Sequence, residues 1–310
     1  MTVLSRTVAS VRVPATSANL GPAFDCAGLA LTCHDVVEFA VVPSGLSVEL
    51  RGVGADDLPT DETHLVVRAF RAACDELGWT PSGLRVVADN GIPQGRGMGS
   101  SAAAVVAGVM GAWSLCPDVE TVDRDAVLRL VTELEGHPDN VAACLFGGAT
   151  LSWTGERGTV ADPLPVSPEI LPVVLVPEGT LSTHAARRLL PDLVPHADAA
   201  FNASRAALLV HALIGKPGLL LEATEDRLHQ RQRTEAMPET LALIDRLRAD
   251  GHAAVVSGAG PSVLVLSTRE PEDRLREIAG LTPAGWSVRP LEVDFHGATV
   301  SRPGPWVSSS

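Results

Sequence analysis

The chain contains one lysine, Lys216, and no tyrosine. Side-chain charge set against a phosphate must therefore come almost wholly from arginine, with backbone N–H groups and a metal ion able to supply the rest. Basic residues are in deficit overall: 24 Lys+Arg against 37 Asp+Glu give a net charge of −13. There is no global basic field for nucleic acid, and an anionic substrate needs a local positive site. The five cysteines (Cys26, Cys33, Cys74, Cys116, Cys144) form no CxxC pair and are odd in number. This speaks against a zinc site or a disulfide framework and for a reducing, cytoplasmic setting. The start, MTVLSRTVASVRV, lacks a signal-peptide core, and the longest apolar run, Ala102 to Trp113, is too short to span a bilayer. It is Ala/Gly-rich and reads as a buried helix. Neither a membrane nor a nucleic-acid partner is expected. The motifs GxxxxGK[ST], HRD and DFG are all absent, which excludes that type of P-loop and argues against a protein kinase. No internal repeat is present.

What is there suits one large or two medium domains: 310 residues, 45% hydrophobic. Four prolines at 163, 165, 168 and 172 mark a candidate junction, dividing the chain into 1–165 and 166–310. Alternating valines predict a strand over Val8–Val13, ended by Pro14, with PATSANLGPAFD as a loop. Further strands are expected over Asp35–Val42, Leu46–Leu50, Leu84–Ala88, Ala149–Trp153, Leu171–Val176, Ala253–Val256 and Val263–Leu266. DETHLVVRAFRAACDELG has helical periodicity, with Asp61 as its cap and Gly78 as its end. Helices are also expected from Ser100 onward, over Asp125–Glu135, and around 183–190, 197–214, 218–229 and 238–249. The tail SRPGPWVSSS reads as frayed.

The stretch GIPQGRGMGSSAAA is the strongest chemical signal. Gly95, Gly97 and Gly99 alternate before a helix opened by Ser100 and Ser101. Glycine lets the backbone approach a ligand closely, and several N–H groups at a helix N-terminus can converge on one anion, a triphosphate being the obvious guest. A serine hydroxyl there can also ligate Mg²⁺. Two other readings exist. A glycine-rich turn can simply connect two elements. Gly97 to Ala102 also fits GxGxxA, the dinucleotide fingerprint, but that should sit directly after a strand, whereas Asp89 to Gln94 intervene, and no strand ending in an acid follows about 20 residues on.

Three segments occur in order: PATSANLGPAFDCAGLAL (14–31), PQGRGMGSSAAA (93–104) and VVSGAGPSVLVL (255–266). Together they resemble the three-motif signature of the GHMP kinases. Within that superfamily, PATSANLGPAFD, EGHPDNVAACLFGG (135–148), STHAARRLLP (182–191) and EDRLHQRQR (225–233) are similar to segments of the homoserine kinase family, and the likeness covers nearly the whole chain. Ala23 stands where that family commonly has glycine, which places a methyl near the substrate loop, and Met98 replaces its usual leucine. The resemblance implies an α+β fold of two domains: an N-terminal ATP-binding α+β domain and a C-terminal ferredoxin-like α+β domain, with the active site between them. It also implies a homodimer, ATP and Mg²⁺ as cofactors, and L-homoserine as the small-molecule substrate.

Roles carried over by the resemblance are as follows. Pro93, Gly95, Arg96, Gly97, Met98, Gly99, Ser100, Ser101 and Ala102 would bind ATP. Ser101 and Glu135 would ligate Mg²⁺. Arg187 and Arg233 would clamp the substrate carboxylate, a task that suits the planar guanidinium fork; the bland alternative is that Arg187 caps its helix. Asp25, with Asn19 beside it, would meet the ammonium group, and His137 and Thr183 would add contacts. Asn140 stands where some GHMP kinases have a catalytic aspartate. An amide cannot take the hydroxyl proton as a carboxylate can, so Asn140 would orient the hydroxyl, and with Arg187 it is the expected catalytic pair. Asp139, adjacent, is the rival candidate for a base. Gly258 to Pro261 would pack against the phosphate loop, and residues near Thr63–Val66 and Asp89 would line the adenine pocket. Alternatives are a GHMP kinase for a related hydroxy amino acid or another small alcohol, and a non-catalytic nucleotide-binding paralogue.

Overall fold

The structure, a computed structural model, describes residues 7–156, 158–271 and 273–301. The first sheet is built from β1 (Val8–Ala18), β2 (Ala27–Val41), β3 (Gly45–Gly52), β4 (Gly83–Asn90), β5 (Ala149–Gly155) and β6 (Gly158–Leu164). Helices α1 (Leu65–Glu76), α2 (Ser100–Leu115), α3 (Arg124–Glu135) and α4 (Pro138–Phe146) belong to the same half of the chain. The second sheet takes β7 (Ile170–Val176), β8 (Ala254–Val256), β9 (Val263–Thr268) and β10 (Ser287–Pro290). Around it lie α5 (Thr183–Arg187), α6 (His196–Gly215), α7 (Leu220–Ala223), α8 (Pro238–Ala249) and α9 (Arg274–Leu281). The last strand, β11 (Thr299–Ser301), returns to the first sheet and pairs with β1. The fold is α+β, as expected.

The first sheet runs β11-β1-β2-β4-β3, with β5 paired to β2 and β6 paired to β5; among the described residues only β3–β4 is parallel. Pro14 does not end the first strand. The ladder shifts register there, from Pro14 opposite His34 to Ala15 opposite Leu31. A proline without an N–H is tolerated at such a bulge. The strand therefore continues to Ala18 and carries the first residues of the PATSAN motif to the site. The same irregularity divides β2, whose residues 36–41 pair with β4 and whose residues 27–29 pair with β5.

The second sheet buries both faces by strict alternation. Ile170, Val174, Val176, Leu264 and Leu266 join the main core with α6 and α7 residues such as Leu209 and Ala223. Val173, Leu175, Val263 and Val265 face a second core with Leu243 and Leu247 of α8 and Ile278 of α9.

Several boundaries differ from the sequence reading. Helix α1 begins at Leu65 with His64 as its cap, while Asp61 accepts the Thr63 N–H at 2.9 Å and so shapes the turn before it. Gly78 does follow the helix end, at φ 61°. The helix expected around 218–229 stops at Ala223, because the Asp226 carboxylate accepts the N–H groups of Leu228, His229 and Gln230 at 2.9, 3.1 and 2.9 Å. Such side-chain bonds compete with helical ones. That around 183–190 is cut to five residues. The tail beyond Ser301 lies outside the described residues.

A strap over residues 291–301 ties the last described residues to the first sheet. The Asp294 carboxylate, 3% exposed, meets His34 Nε2 at 2.6 Å and accepts the N–H groups of His296 and Gly297 at 2.8 and 3.0 Å. Removing it leaves buried donors unpaired. Asp294→Ala is expected to lower stability by ~2–4 kcal/mol, read as a drop in the thermal midpoint; a midpoint within a degree of wild type would refute that anchoring role.

Candidate active site

The bulged β1 delivers Thr16, Ser17 and Asn19 to the seam between the sheets, and the chain then makes an unusual turn. Asn19, Leu20 and Asp25 all have positive φ, at 70°, 46° and 57°. A left-handed leucine is costly and persists only where its surroundings dictate it; Leu20 is fully buried. The turn is fixed by Asn19, which accepts the Asp25 N–H at 2.9 Å and donates to Gly258 O at 3.0 Å.

The phosphate loop sits opposite. Gly95, Gly97 and Gly99 have φ of 64°, 69° and 70°, and α2 starts immediately after. A Cβ on Gly97 would lie 2.2 Å from Ser257 O, and one on Gly99 would lie 1.9 Å from Thr16 Oγ1. Ser257 donates its hydroxyl to Gly97 O at 2.6 Å, so the SGAGP turn packs against the loop as expected. The loop's neighbours bound a cleft of about 760 Å³.

Most of the expected site residues converge on this cleft. Ser100 and Ser101 open α2 at its floor, and Ser101 Oγ donates to Glu135 Oε2 at 2.8 Å. Burial raises the Glu135 carboxyl above its ordinary value, against the lowering effect of the Ser101 bond and of His137. Gly136, left-handed at φ 88°, ends α3, and His137 caps α4. His137 Nδ1 meets Asp139 Oδ1 at 2.8 Å. Burial opposes the charged imidazole, but that bond and the Asp139 charge outweigh it and raise His137 above its usual value. Asp139, 1% exposed, also accepts the Asn140 N–H at 2.7 Å. Asn140 Oδ1 accepts from Thr16 Oγ1 at 2.7 Å. Thr183 lines the wall at the start of α5, whose lead-in is tied to the loop by Leu181 N–H to Gly95 O at 2.8 Å.

The two arginines behave differently. Arg187 grips Asp25 with both terminal nitrogens, Nη1 at 3.0 Å, each side chain about one third exposed. That bond to Asp25 raises the guanidinium above its ordinary value. Arg233 is 1% exposed, donates to His229 Nδ1 at 3.2 Å and to Gly258 O at 3.3 Å, and leaves Nε without a partner. Burial first, and then the positive charge of Arg187, push it down to about 10. Both guanidinium carbons lie over the Phe24 ring, at 5.5 and 5.7 Å. Two neighbouring cations in a partly dry pocket favour an anion between them.

The side chains of three further residues assigned to the nucleotide have protein partners of their own. The Arg96 guanidinium donates to the carbonyls of Gln94, Pro177 and Glu178, at 3.1, 3.0 and 2.6 Å, and so joins the loop to the end of β7 while the residue lines the cleft. The Ala102 side chain is wholly buried in the core, and Pro93 lines a shallow hollow behind the loop with Val176. Ala23 is 3% exposed, lacks positive φ and packs in the core, so its methyl does not narrow the cleft. The sequence reading missed Thr16, Phe24, His229 and Ser257 as partners of the site; the first two stand inside the PATSAN motif, yet only the fold reveals what they touch. A second, more apolar cavity of about 870 Å³ continues from Gly95, Ser100 and Ser101 to Leu58, Val66 and Ala103, with Asn90 and the unpaired Nδ1 of His64 at its edge. It includes Thr63–Val66; Asn90, the neighbour of Asp89, reaches it.

Comparison with known proteins places this geometry. The profile described as GHMP kinases N terminal domain matches residues 64–148, and that described as GHMP kinases C terminal matches 206–280. The homoserine kinase of Streptomyces avermitilis is 52% identical over 291 residues, 94% of either chain. The chain belongs to the homoserine kinase family. That of Streptomyces coelicolor is 53% identical over 94% of this chain and 93% of its own. The crystal structure of homoserine kinase from Cytophaga hutchinsonii superposes with a TM-score of 0.84 at 25% identity, covering 95% of this chain and 98% of that one. The L. major mevalonate kinase, at TM-score 0.65 and 16% identity, shares the fold. Kinase activity with ATP as donor follows from the family. Among the described residues no helix is long and apolar enough to cross a membrane.

Gly99→Ala tests the cradle. The methyl would meet Thr16 and the backbone would resist its φ, a combined cost of ~2–4 kcal/mol. Weakened nucleotide binding by calorimetry together with a lowered thermal midpoint is the expected outcome; unchanged values for both would remove the close approach.

Proposed function

We propose that the protein transfers the γ-phosphoryl group of ATP to the side-chain hydroxyl of L-homoserine, giving O-phospho-L-homoserine. The observation that carries this is the Asp25–Arg187 pair at the edge of the phosphate cleft, with Arg233 buried beside it. An α-amino acid presents both matching groups at once. Its ammonium can take over Asp25 while its carboxylate enters between Arg187 and Arg233, so neither charge is left unpaired. A sugar offers neither partner, and a carboxylate such as mevalonate offers only one. Asn140 then orients the acceptor hydroxyl, and Asp139, already bonded to His137 and to the Asn140 N–H, is not needed as a base. Rate acceleration rests on alignment and on neutralising the phosphates. The triphosphate would lie along the loop with the base in the apolar cavity.

Glu135 and Ser101 fit Mg²⁺. Among the described residues no group of three or more His, Cys, Asp or Glu side chains could hold a metal ion. One carboxylate plus one hydroxyl is the sparse protein share that Mg²⁺ accepts, since it keeps waters and phosphate oxygens as further ligands. When bound, the ion would screen the phosphate charge. The resemblance also carries a homodimer in the cytoplasm and a division into 1–165 and 166–310, with β11 contributed back to the first part.

ADP release with Mg-ATP and L-homoserine, L-threonine, L-serine, mevalonate or galactose tests the substrate. L-homoserine should dominate, and Arg187→Ala and Arg233→Ala should each lose ~2–5 kcal/mol of transition-state binding, roughly 30-fold to several-thousand-fold in kcat/KM. Turnover with another alcohol alone would discard the substrate; ATP binding without any turnover would favour a non-catalytic paralogue.

The metal assignment has its own pH signature. The Glu135 carboxyl titrates above its ordinary 4.5, so protons begin to compete with the cation at higher pH than for an exposed glutamate. The Mg²⁺ concentration for half-maximal turnover should rise on acidification in wild type. In Glu135→Gln it should be at least about tenfold higher and lose that pH trend. An unchanged requirement would remove Glu135 from the metal site.

A further inference from the structure

We propose that Thr16 is a positioning residue for the phosphoryl acceptor: its hydroxyl sets the orientation of the Asn140 amide and couples it to the phosphate loop. The proposal rests on the homoserine kinase reading.

Thr16 is fully buried and lies on the continued part of β1. Its backbone N–H donates to Met98 O at 3.0 Å, and its Oγ1 occupies the space that a Cβ on Gly99 would need, at 1.9 Å. The residue is thus seated against the phosphate loop by its backbone. Its hydroxyl then reaches Asn140 Oδ1 at 2.7 Å. The other end of the amide is fixed independently, since Nδ2 faces the Asp139 carboxylate at 3.4 Å, an acceptor that only an N–H can approach. The amide is held at both ends, oxygen toward Thr16 and nitrogen toward Asp139. One Nδ2 hydrogen remains for the cleft, so Asn140 meets the acceptor hydroxyl as a donor to its oxygen. An unheld amide would rotate, and alignment of the acceptor would loosen, which matters in a reaction that depends on alignment. The Thr16 backbone contact persists in any substitution, which separates the hydroxyl's role from that of the strand.

The test compares Thr16→Val, Thr16→Ala and Thr16→Ser in the full chain. Valine keeps the shape and removes the hydroxyl. We expect kcat for homoserine-dependent ADP release to fall roughly 10- to 100-fold in Thr16→Val and Thr16→Ala, with KM for ATP within about threefold of wild type. Thr16→Ser should restore kcat to within about threefold. In an Asn140→Ala background, Thr16→Val should add less than about threefold, because the hydroxyl acts through that amide. A kcat near wild type in the valine and alanine variants overturns the proposal. So does an effect of undiminished size in the Asn140→Ala background, or a loss that appears in KM for ATP instead of kcat. If Thr16→Val is poorly folded by its thermal midpoint, the alanine and serine pair decides on the same criteria. Absence of homoserine turnover in wild type would overturn the substrate reading instead, and with it this role.

Discussion

Ser257 and Gly258 form the joint on which the cleft depends. Ser257 donates to Gly97 of the phosphate loop, while Gly258 O collects Asn19 from the first sheet and Arg233 from the second half of the chain. Gly258 N–H reaches back to Ala18 O at 3.2 Å. The phosphate loop, the turn at Asn19 and the buried Arg233 therefore share one short segment of backbone. The strain at Asn19, Leu20 and Asp25 belongs to the same joint. A buried leucine at φ 46° has no local reason to exist, but the turn it makes aims the Asp25 carboxylate at Arg187 and leaves Asn19 facing Gly258. Packing around Leu20 holds the chain in a conformation that local preference opposes.

Arginine usage shows how a chain with one lysine handles anions. Arg96, which sequence places in the phosphate loop, satisfies three carbonyls and stiffens the junction with β7. Arg233 is locked by His229 and Gly258, and Arg187 by Asp25. Each of these guanidinium groups is already engaged by protein partners, although all three line the cleft. On the proposed reading, much of the neutralisation of the triphosphate would fall to N–H groups at the loop and at the start of α2, and to a cation at Glu135. Arg187 and Arg233 would then serve the proposed amino-acid end, where a zwitterion must be told from a neutral alcohol.

Much of this was legible in the sequence because motifs and periodicity report local constraints. The alternating valines of β1, the apolar α2 and the glycine spacing needed no tertiary knowledge, and three ordered motifs marked the family. Boundaries failed where a distant group decided them. Pro14 reads as a stop, yet a register shift against His34 carries the strand past it. Residues 218–229 read as a helix until Asp226 captures three N–H groups. The returning strand β11 is three residues long and has no periodicity of its own; its place is set by β1. Site residues were legible as members of motifs but not as partners. That Asp25 and Arg187 face each other, across 162 positions of sequence, is a property of the fold.

The relation between Asp139 and Asn140 shows what a side-chain inventory cannot decide. By chemistry alone the carboxylate is the better base. In the fold it is 1% exposed and already accepts from His137 and from the Asn140 backbone at the start of α4. Moving a proton onto it would weaken the acceptor that holds His137 in its raised state and would loosen the helix start. Asn140, one residue on, faces the cleft with its oxygen taken by Thr16, so it can direct a hydroxyl but cannot remove its proton. Phosphoryl transfer tolerates this, because its transition state needs little help at the nucleophile compared with the charge on the transferring group. The acid next door therefore anchors the amide, and on the proposed reading the amide is the group that would meet the acceptor.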